Sequence, residues 1–473
     1  MKQIMFSLLL FCCGNAYCTD NVKIHGKIIN RIADSIIVSP SIATVPYQPN
    51  NHSVALDPDG NFTLAFEAPE GFTYVTIIHG NQETELFVQP GADLTLTLDA
   101  KNFDSTLHYE GNGKELANFM AQHVLEVPTM QRLEIQGQQL TGKEPAEFEA
   151  ALKKLQDKEM DFLQKYGANL PADFSDYFKA EQRYNVYSVM AKYPHFHEMM
   201  KQKSMNVKNI PKENYVVIND IPEEFNDAYL NMPAYHAYIT NVFSSQIAKA
   251  RAELNIPAET KWPIDTTLTM AYKRMPPKTA EYYAGTAIYR DTKYYPIEIV
   301  EQEFEVYKQH FPRSANLENL QKAILFKKTV ANGKPAIDFD IVTPEGKQMK
   351  LSDLKGSVVY IDFWSSSCVP CLAEMLDSKK VREHFKDKPV KFVYVSLDPQ
   401  DSVWKKSIEH YNVEGINTHV DKVYESDVVK KYGVYGIPSY FLVDKKGNFE
   451  NADDIARPSN TEKLIGQIEK LLE

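Results

Sequence analysis

The chain has 473 residues, enough for about three domains at roughly 150 residues each. Hydrophobic residues make up 43% and charged residues 24%, close to the globular average, which excludes wholesale disorder, collagen-like repeats and a disulfide-stapled miniprotein. Lys plus Arg number 52 against 63 Asp plus Glu, and the net charge of −11 opposes binding to nucleic acid or anionic membranes without a local basic patch.

Lys2 precedes an apolar run from Ile4 to Cys13, followed by Gly14, Asn15 and Ala16-Tyr17-Cys18, with small residues where a signal peptidase reads. Residues 1–18 therefore read as a signal peptide that sends the chain across the inner membrane into the periplasm. The run is well short of the ~20 residues a spanning helix needs, so no transmembrane segment is expected in the mature chain. Lipid anchoring through Cys18 is disfavoured because bulky Tyr17 stands where a small residue is wanted.

Residues 19–110 read as a β domain, an antiparallel sandwich or barrel. Short strands are predicted at Ile36–Val38, Phe62–Phe66, Tyr74–Ile78, Glu85–Val88 and Leu94–Leu98, separated by turns such as Asp57-Pro58-Asp59-Gly60 and Gln89-Pro90-Gly91. Residues 111–329 read as mainly helical, with apolar spacing over Glu115–Leu125 and Glu144–Tyr166, then a tyrosine-rich, proline-interrupted stretch whose helices need neighbours to cover them. That tyrosine-rich surface could hold a ligand, but amphipathic packing explains it. His195 and His197 lack a third ligand and read as packing residues rather than a metal site.

From residue 330 to 473 strands alternate with helices, the mark of an α/β domain. Strands are expected at Ile337–Val342, Val358–Phe363, Lys391–Leu397, Tyr440–Val443 and Asn448–Asn451. Helices are expected from Cys368, around Ser402–Tyr411 and Tyr424–Tyr432, and at Thr461–Leu472.

Of the five cysteines, Cys12, Cys13 and Cys18 fall in the leader, leaving Cys368 and Cys371. A lone pair three residues apart in an exported chain is more plausibly chemical than structural. Zinc would need four ligands, and a static disulfide across so short a loop would add little stability. Where a buried strand gives way to a helix, the helix N-terminus favours the thiolate of the first cysteine. A thiol with pKa about 8.5 is roughly 3% ionised at pH 7, and one shifted to about 7 is half ionised, a difference of about 2 kcal/mol. Cys368 is thus the candidate nucleophile and Cys371 the resolving thiol, with Pro370 tolerated at the first helical turn.

The run from Val359 through Trp364-Ser365-Ser366-Ser367-Cys368-Val369-Pro370-Cys371 resembles the thioredoxin superfamily, in particular its TlpA/ResA-like exported thiol–disulfide oxidoreductases. The likeness extends from Leu351-Ser352-Asp353-Leu354 to the Tyr432–Gly447 segment, and covers about residues 330–473. The β domain and helical region resemble the N-terminal extension of some members in architecture alone. The resemblance implies that Pro438 is a cis-proline beside the cysteines, with the Ile437 backbone presented to an extended substrate; otherwise Pro438 simply starts a strand. It implies that Asp362 is a buried acid of raised pKa that takes a proton from Cys371, the alternative being a strand-end carboxylate in water. Glu374 matches an acidic residue near the cysteines, or else serves the helix dipole. Trp364 should shape the docking surface or be an ordinary core aromatic. Ser367 departs from the family, in which tryptophan is common before the first cysteine.

The expected function is reduction of protein disulfides by the Cys368–Cys371 pair, with no other cofactor. Clients are protein thiols or disulfides, and an upstream thiol reductant, such as a membrane-bound one, resets the pair. A disulfide oxidase or isomerase would share these residues. The competing class is a partner- or ligand-binding protein whose α/β domain only docks.

Overall fold

The computed structural model describes residues 21–45, 51–80, 82–127, 140–202, 207, 210–254, 264–398, 400–420, 426–434, 436–451 and 456–473. The segment 1–18 expected to be a signal peptide, with Cys18, Tyr435, and the start of the helix expected from Tyr424 lie outside the described residues.

The first strands are β1 (Val22–Ile29), β2 (Ser35–Pro40), β3 (His52–Ala55), β4 (Asn61–Phe66), β5 (Thr73–His79), β6 (Gln82–Val88), β7 (Asp93–Asp99) and β8 (His108–Asn112). They form two four-stranded sheets, ordered β4-β1-β7-β8 and β3-β2-β5-β6. Along β5 buried residues alternate with half-buried ones, so one face turns inward. Ile24, Leu94 and Leu96 of one sheet share an apolar cluster with Ile36, Val75 and Leu86 of the other. Burial of each such side chain stabilises by about 1.5–3 kcal/mol.

The pairing is not wholly antiparallel, which corrects the expectation: β1 and β7 run parallel, Gly26 opposite Leu96. The chain enters β7 after completing the β5–β6 pair of the second sheet, and so arrives beside β1 in the same direction. Gly26 allows the approach, since a Cβ there would lie 2.0 Å from the Leu96 carbonyl oxygen. A glycine inside a strand also weakens its alternation, and β1 was not among the strands legible in the sequence.

Helices α1 (Phe103–Thr106), α2 (Lys114–Glu126), α3 (Pro145–Tyr166), α4 (Ala172–Gln202), α5 (Pro233–Glu253), α6 (Ile264–Arg274), α7 (Pro277–Tyr294), α8 (Ile297–His310) and α9 (Leu317–Thr329) follow. They bury their apolar faces on each other and on the sheets. Val45, from the segment after β2, lies inside the cluster of α4, α5, α7 and α8. Tyr184, Tyr235, Tyr238 and Tyr307 are at most 1% exposed, which makes the tyrosines packing residues. The Tyr235 and Tyr238 hydroxyls accept the N–H groups of Asn226 and Glu224. His197 donates to the Thr141 carbonyl and stacks on Tyr193.

In the C-terminal region a short pair, β9 (Asp340–Val342) and β10 (Gln348–Lys350), precedes a five-stranded sheet ordered β13-β12-β11-β14-β15. Its strands are β11 (Val358–Trp364), β12 (Val390–Ser396), β13 (Ile416–His419), β14 (Ser439–Val443) and β15 (Phe449–Asn451). Helices α10 (Val369–His384), α11 (Asp401–Tyr411), α12 (Asp427–Lys431) and α13 (Thr461–Leu472) complete it. Short polar β13, Ile-Asn-Thr-His, gave no strand signal of its own. Alternate residues of β11 face two apolar clusters. Val358, Tyr360 and Trp364 meet Leu464 and Ile468 of α13, and Val359, Ile361 and Phe363 meet Val429 and Tyr432.

Helix α9 is tied directly to this sheet. Val330 lies within its second cluster and Phe326 packs against it. A Cβ at Gly433 would sit 2.3 Å from the Phe326 ring, so only glycine admits that contact. The Gly333 N–H then donates to the Phe449 carbonyl at 2.7 Å.

Candidate active site

All seven residues of β11 are buried, as expected of a strand with parallel β12 on one side and antiparallel β14 on the other. The chain leaves it at Trp364, crosses Ser365-Ser366-Ser367, and enters α10 with Cys368 at the N-cap. Cys368 Sγ accepts the Cys371 N–H at 3.2 Å. A sulfur so placed faces unsatisfied N–H groups and the positive end of the helix dipole, which favours negative charge on it after reduction. Cys368 and Cys371 are joined as a disulfide. Cys371 is only 2% exposed and Cys368 is half-buried, so an incoming group meets Cys368 first.

The serine loop is held from the neighbouring strand end. Asp398 Oδ1 accepts both the Ser366 N–H at 2.9 Å and its hydroxyl at 2.7 Å, while Oδ2 accepts the Ser396 hydroxyl at 2.8 Å. His419 Nε2 donates to the Asp398 carbonyl, and its ring stacks on Trp404. The sequence reading missed this brace. Its signal was an aspartate just past the carboxyl end of a buried strand, where α/β sheets gather their functional groups.

The Ile437–Pro438 bond is cis. Phe363 pairs with Ser439 in the β11–β14 register, which places Pro438 level with the strand end from which the cysteine loop departs. Ile437 and Cys368 are both half-buried and pack against the same apolar cluster.

Asp362 points to the Cys371 side of the sheet, as the alternation along β11 requires. It is 2% exposed, and its Oδ1 has no hydrogen-bond partner among the described residues. Burial drives its pKa well above the usual carboxylate range, the Glu374 charge adds to the rise, and Arg382 opposes it.

Burial decides between the alternatives held for two residues. Trp364 is fully buried within the cluster containing Cys371, so it supports the site from beneath and does not line a docking surface. Glu374 is also buried and does not cap the helix. Its carboxylate accepts the Ser459 N–H at 2.8 Å, the Ser459 hydroxyl at 3.0 Å and Arg457 Nη1 at 3.1 Å, fastening α10 to the turn before α13. The helical spacing that brings Glu374 under the cysteines also turns it inward, toward that turn.

The Redoxin family model matches residues 331–463. A ResA thiol–disulfide oxidoreductase of Bacillus thuringiensis subsp. konkukian is 33% identical over 115 residues, 24% of this chain and 65% of that protein. The chain thus spans slightly under two thirds of that relative's length. The ResA of Bacillus thuringiensis strain Al Hakam is 30% identical over 145 residues, 31% of this chain and 81% of that protein. The chain belongs to the TlpA/ResA-like branch of the thioredoxin superfamily. A solved thioredoxin domain of a Bacteroides vulgatus thiol–disulfide oxidoreductase is 30% identical and covers 30% of this chain and 99% of its own, with a TM-score of 0.28. The matched segment of this ResA-like chain contains the cysteine pair, its serine loop, Asp362 and the cis-proline, and begins just after α9.

Proposed function

We propose that the protein is an exported, periplasmic thiol–disulfide oxidoreductase that reduces protein disulfides through Cys368 and Cys371. The observation that carries this reading is the pair itself: an approachable sulfur at a helix N-cap, bonded to a sealed one, level with cis-Pro438. Once the pair is reduced, the Cys368 thiolate attacks a client disulfide, forms a mixed disulfide, and releases one client thiolate. Cys371 gives its proton to the ionised form of Asp362, attacks Cys368 Sγ, releases the second client thiolate and re-forms the Cys368–Cys371 bond. Two electrons pass from the pair to the client, and an upstream thiol reductant restores them.

The Asp362 role is supported by its burial and raised pKa, which bring a carboxyl closer to a thiol in proton affinity. The Ile437 backbone is read as the rail for an extended client segment. No metal or organic cofactor takes part in this scheme. Residues 19–110 are read as a β sandwich, 111–329 as a helical unit and 330–473 as the reactive domain.

The test is turnover in insulin reduction with dithiothreitol, comparing the purified protein with Cys368→Ser. Equal rates would overturn the reading and favour a docking module. Direction is tested by trapping the pair with acid and alkylation in the native compartment. A mostly dithiol pair supports a reductase, and a mostly disulfide pair an oxidase.

A further inference from the structure

The α/β region shares a cavity with the helical region. A cavity of about 630 Å³ opens beside the cis-proline, within the range of about 300–1,000 Å³ usual for ligand sites. One wall is the Ile437-Pro438-Ser439 stretch with Tyr432 and Phe441. The other comes from the helical region: Tyr289 and Thr292 of α7, Ala323, Phe326 and Lys327 of α9. This second wall is fixed in place, because Phe326 rests on Gly433 and Val330 lies in the core of the sheet.

We propose that this helical wall selects the client by holding the residues that flank its reacting cysteine, an inference that rests on the oxidoreductase reading above. A client sulfur that reaches Cys368 belongs to a polypeptide whose next residues lie within about 3.3–3.6 Å of chain per residue. The register places Pro438 at the strand end where the cysteine loop leaves, so a chain running past Ile437 and Pro438 enters the cavity. Its lining offers the half-buried side chains of Tyr289, Phe326 and Ile437, which favour an aromatic or apolar flanking side chain. The occupant is therefore an extended protein segment with such a residue beside its cysteine. A small disulfide needs only Cys368 and makes no use of the wall.

The experiment compares three probes: a short peptide disulfide with phenylalanine beside the cysteine, the same peptide with glycine there, and a small aromatic disulfide. The wild-type protein should reduce the phenylalanine peptide with kcat/KM about tenfold above the glycine peptide. Ala323→Trp, which fills the cavity, should erase that preference and leave the small disulfide unchanged. Equal use of both peptides by the wild-type protein overturns the proposal, as does a preference that survives Ala323→Trp.

A second measurement does not depend on how that variant folds. In Cys371→Ser, the Cys368 thiolate attacks the peptide sulfur of the phenylalanine peptide activated as a mixed disulfide with thionitrobenzoate. Thionitrobenzoate leaves and the peptide stays joined to Cys368. Hydrogen exchange should then slow in residues 289–298 and 323–332, and unchanged exchange there overturns the wall. Failure to reduce any of the three disulfides would instead remove the oxidoreductase reading itself.

Discussion

Asp362 in the α/β region and Glu303 in the helical region are both buried carboxyls, 2% and 3% exposed, and burial is the leading cause of a raised pKa in each. Glu303 is pushed up to about 8, with neighbouring Asp291 as the second cause, much as Glu374 is for Asp362. Glu181, on α4, is likewise pushed up to about 8 by burial and by Glu85 and Glu159. What separates them is what lies alongside. Asp362 faces the cluster that holds Cys371, whereas residues 111–329 contain no cysteine. A raised carboxyl arises wherever packing buries it, and gains a chemical role only beside an atom that exchanges protons.

The sharpest break in the comparison is expected in activity. Cys368→Ser should lower insulin reduction by at least about a thousandfold, while Glu303→Gln leaves it near the wild-type rate. Next, Asp362→Asn should slow resolution of a trapped mixed disulfide by about a hundredfold and spare the initial attack, as read by rapid quench. Equal slowing of both steps, or of neither, would remove the proton-acceptor role.

A smaller effect is expected of Asp398→Asn, which loosens the serine loop from its anchor. Attack by Cys368 should slow by about tenfold, with Asp362-dependent resolution unchanged. Were attack unaffected, the loop would be held by its own backbone.

The smallest effect, in stability, is where the two regions should agree. Glu181, Glu303 and Asp362 each hold a proton in the folded chain that the unfolded chain releases above its ordinary carboxyl pKa. Their contribution is complete below the unfolded value and is lost as pH rises toward the folded one, for the two glutamates between 4.5 and about 8. Urea midpoints should therefore fall from pH 5 to pH 8, and Glu303→Gln or Asp362→Asn should flatten the fall by up to a few kcal/mol. A slope unaltered by either substitution would place the titrating groups elsewhere.

Much of the α/β region was legible because its signals are local. The Val358–Phe363 run could only be an interior strand, and the Cys368-Val369-Pro370-Cys371 spacing placed one sulfur at a helix start. The helix expected at Thr461–Leu472 occupies those residues. Elements held by partners rather than by their own pattern were missed: β1 with Gly26 under Leu96, and β13 paired on β12. The side of a helix that a residue faces was equally hidden, so the clasp of Glu374 on Ser459 and Arg457 showed only in the folded chain.

The sequence by itself singled out the cysteine pair, the strand beneath it and the change to alternating strands and helices after residue 330, because period, turn chemistry and cysteine spacing act over a few residues. Only the tertiary structure decided that Trp364 is sealed, that Asp398 braces the serine loop, and that α7 and α9 face Pro438 across a cavity. Those relations join residues far apart in the chain. They depend on how layers stack to bury apolar surface, which no local pattern encodes.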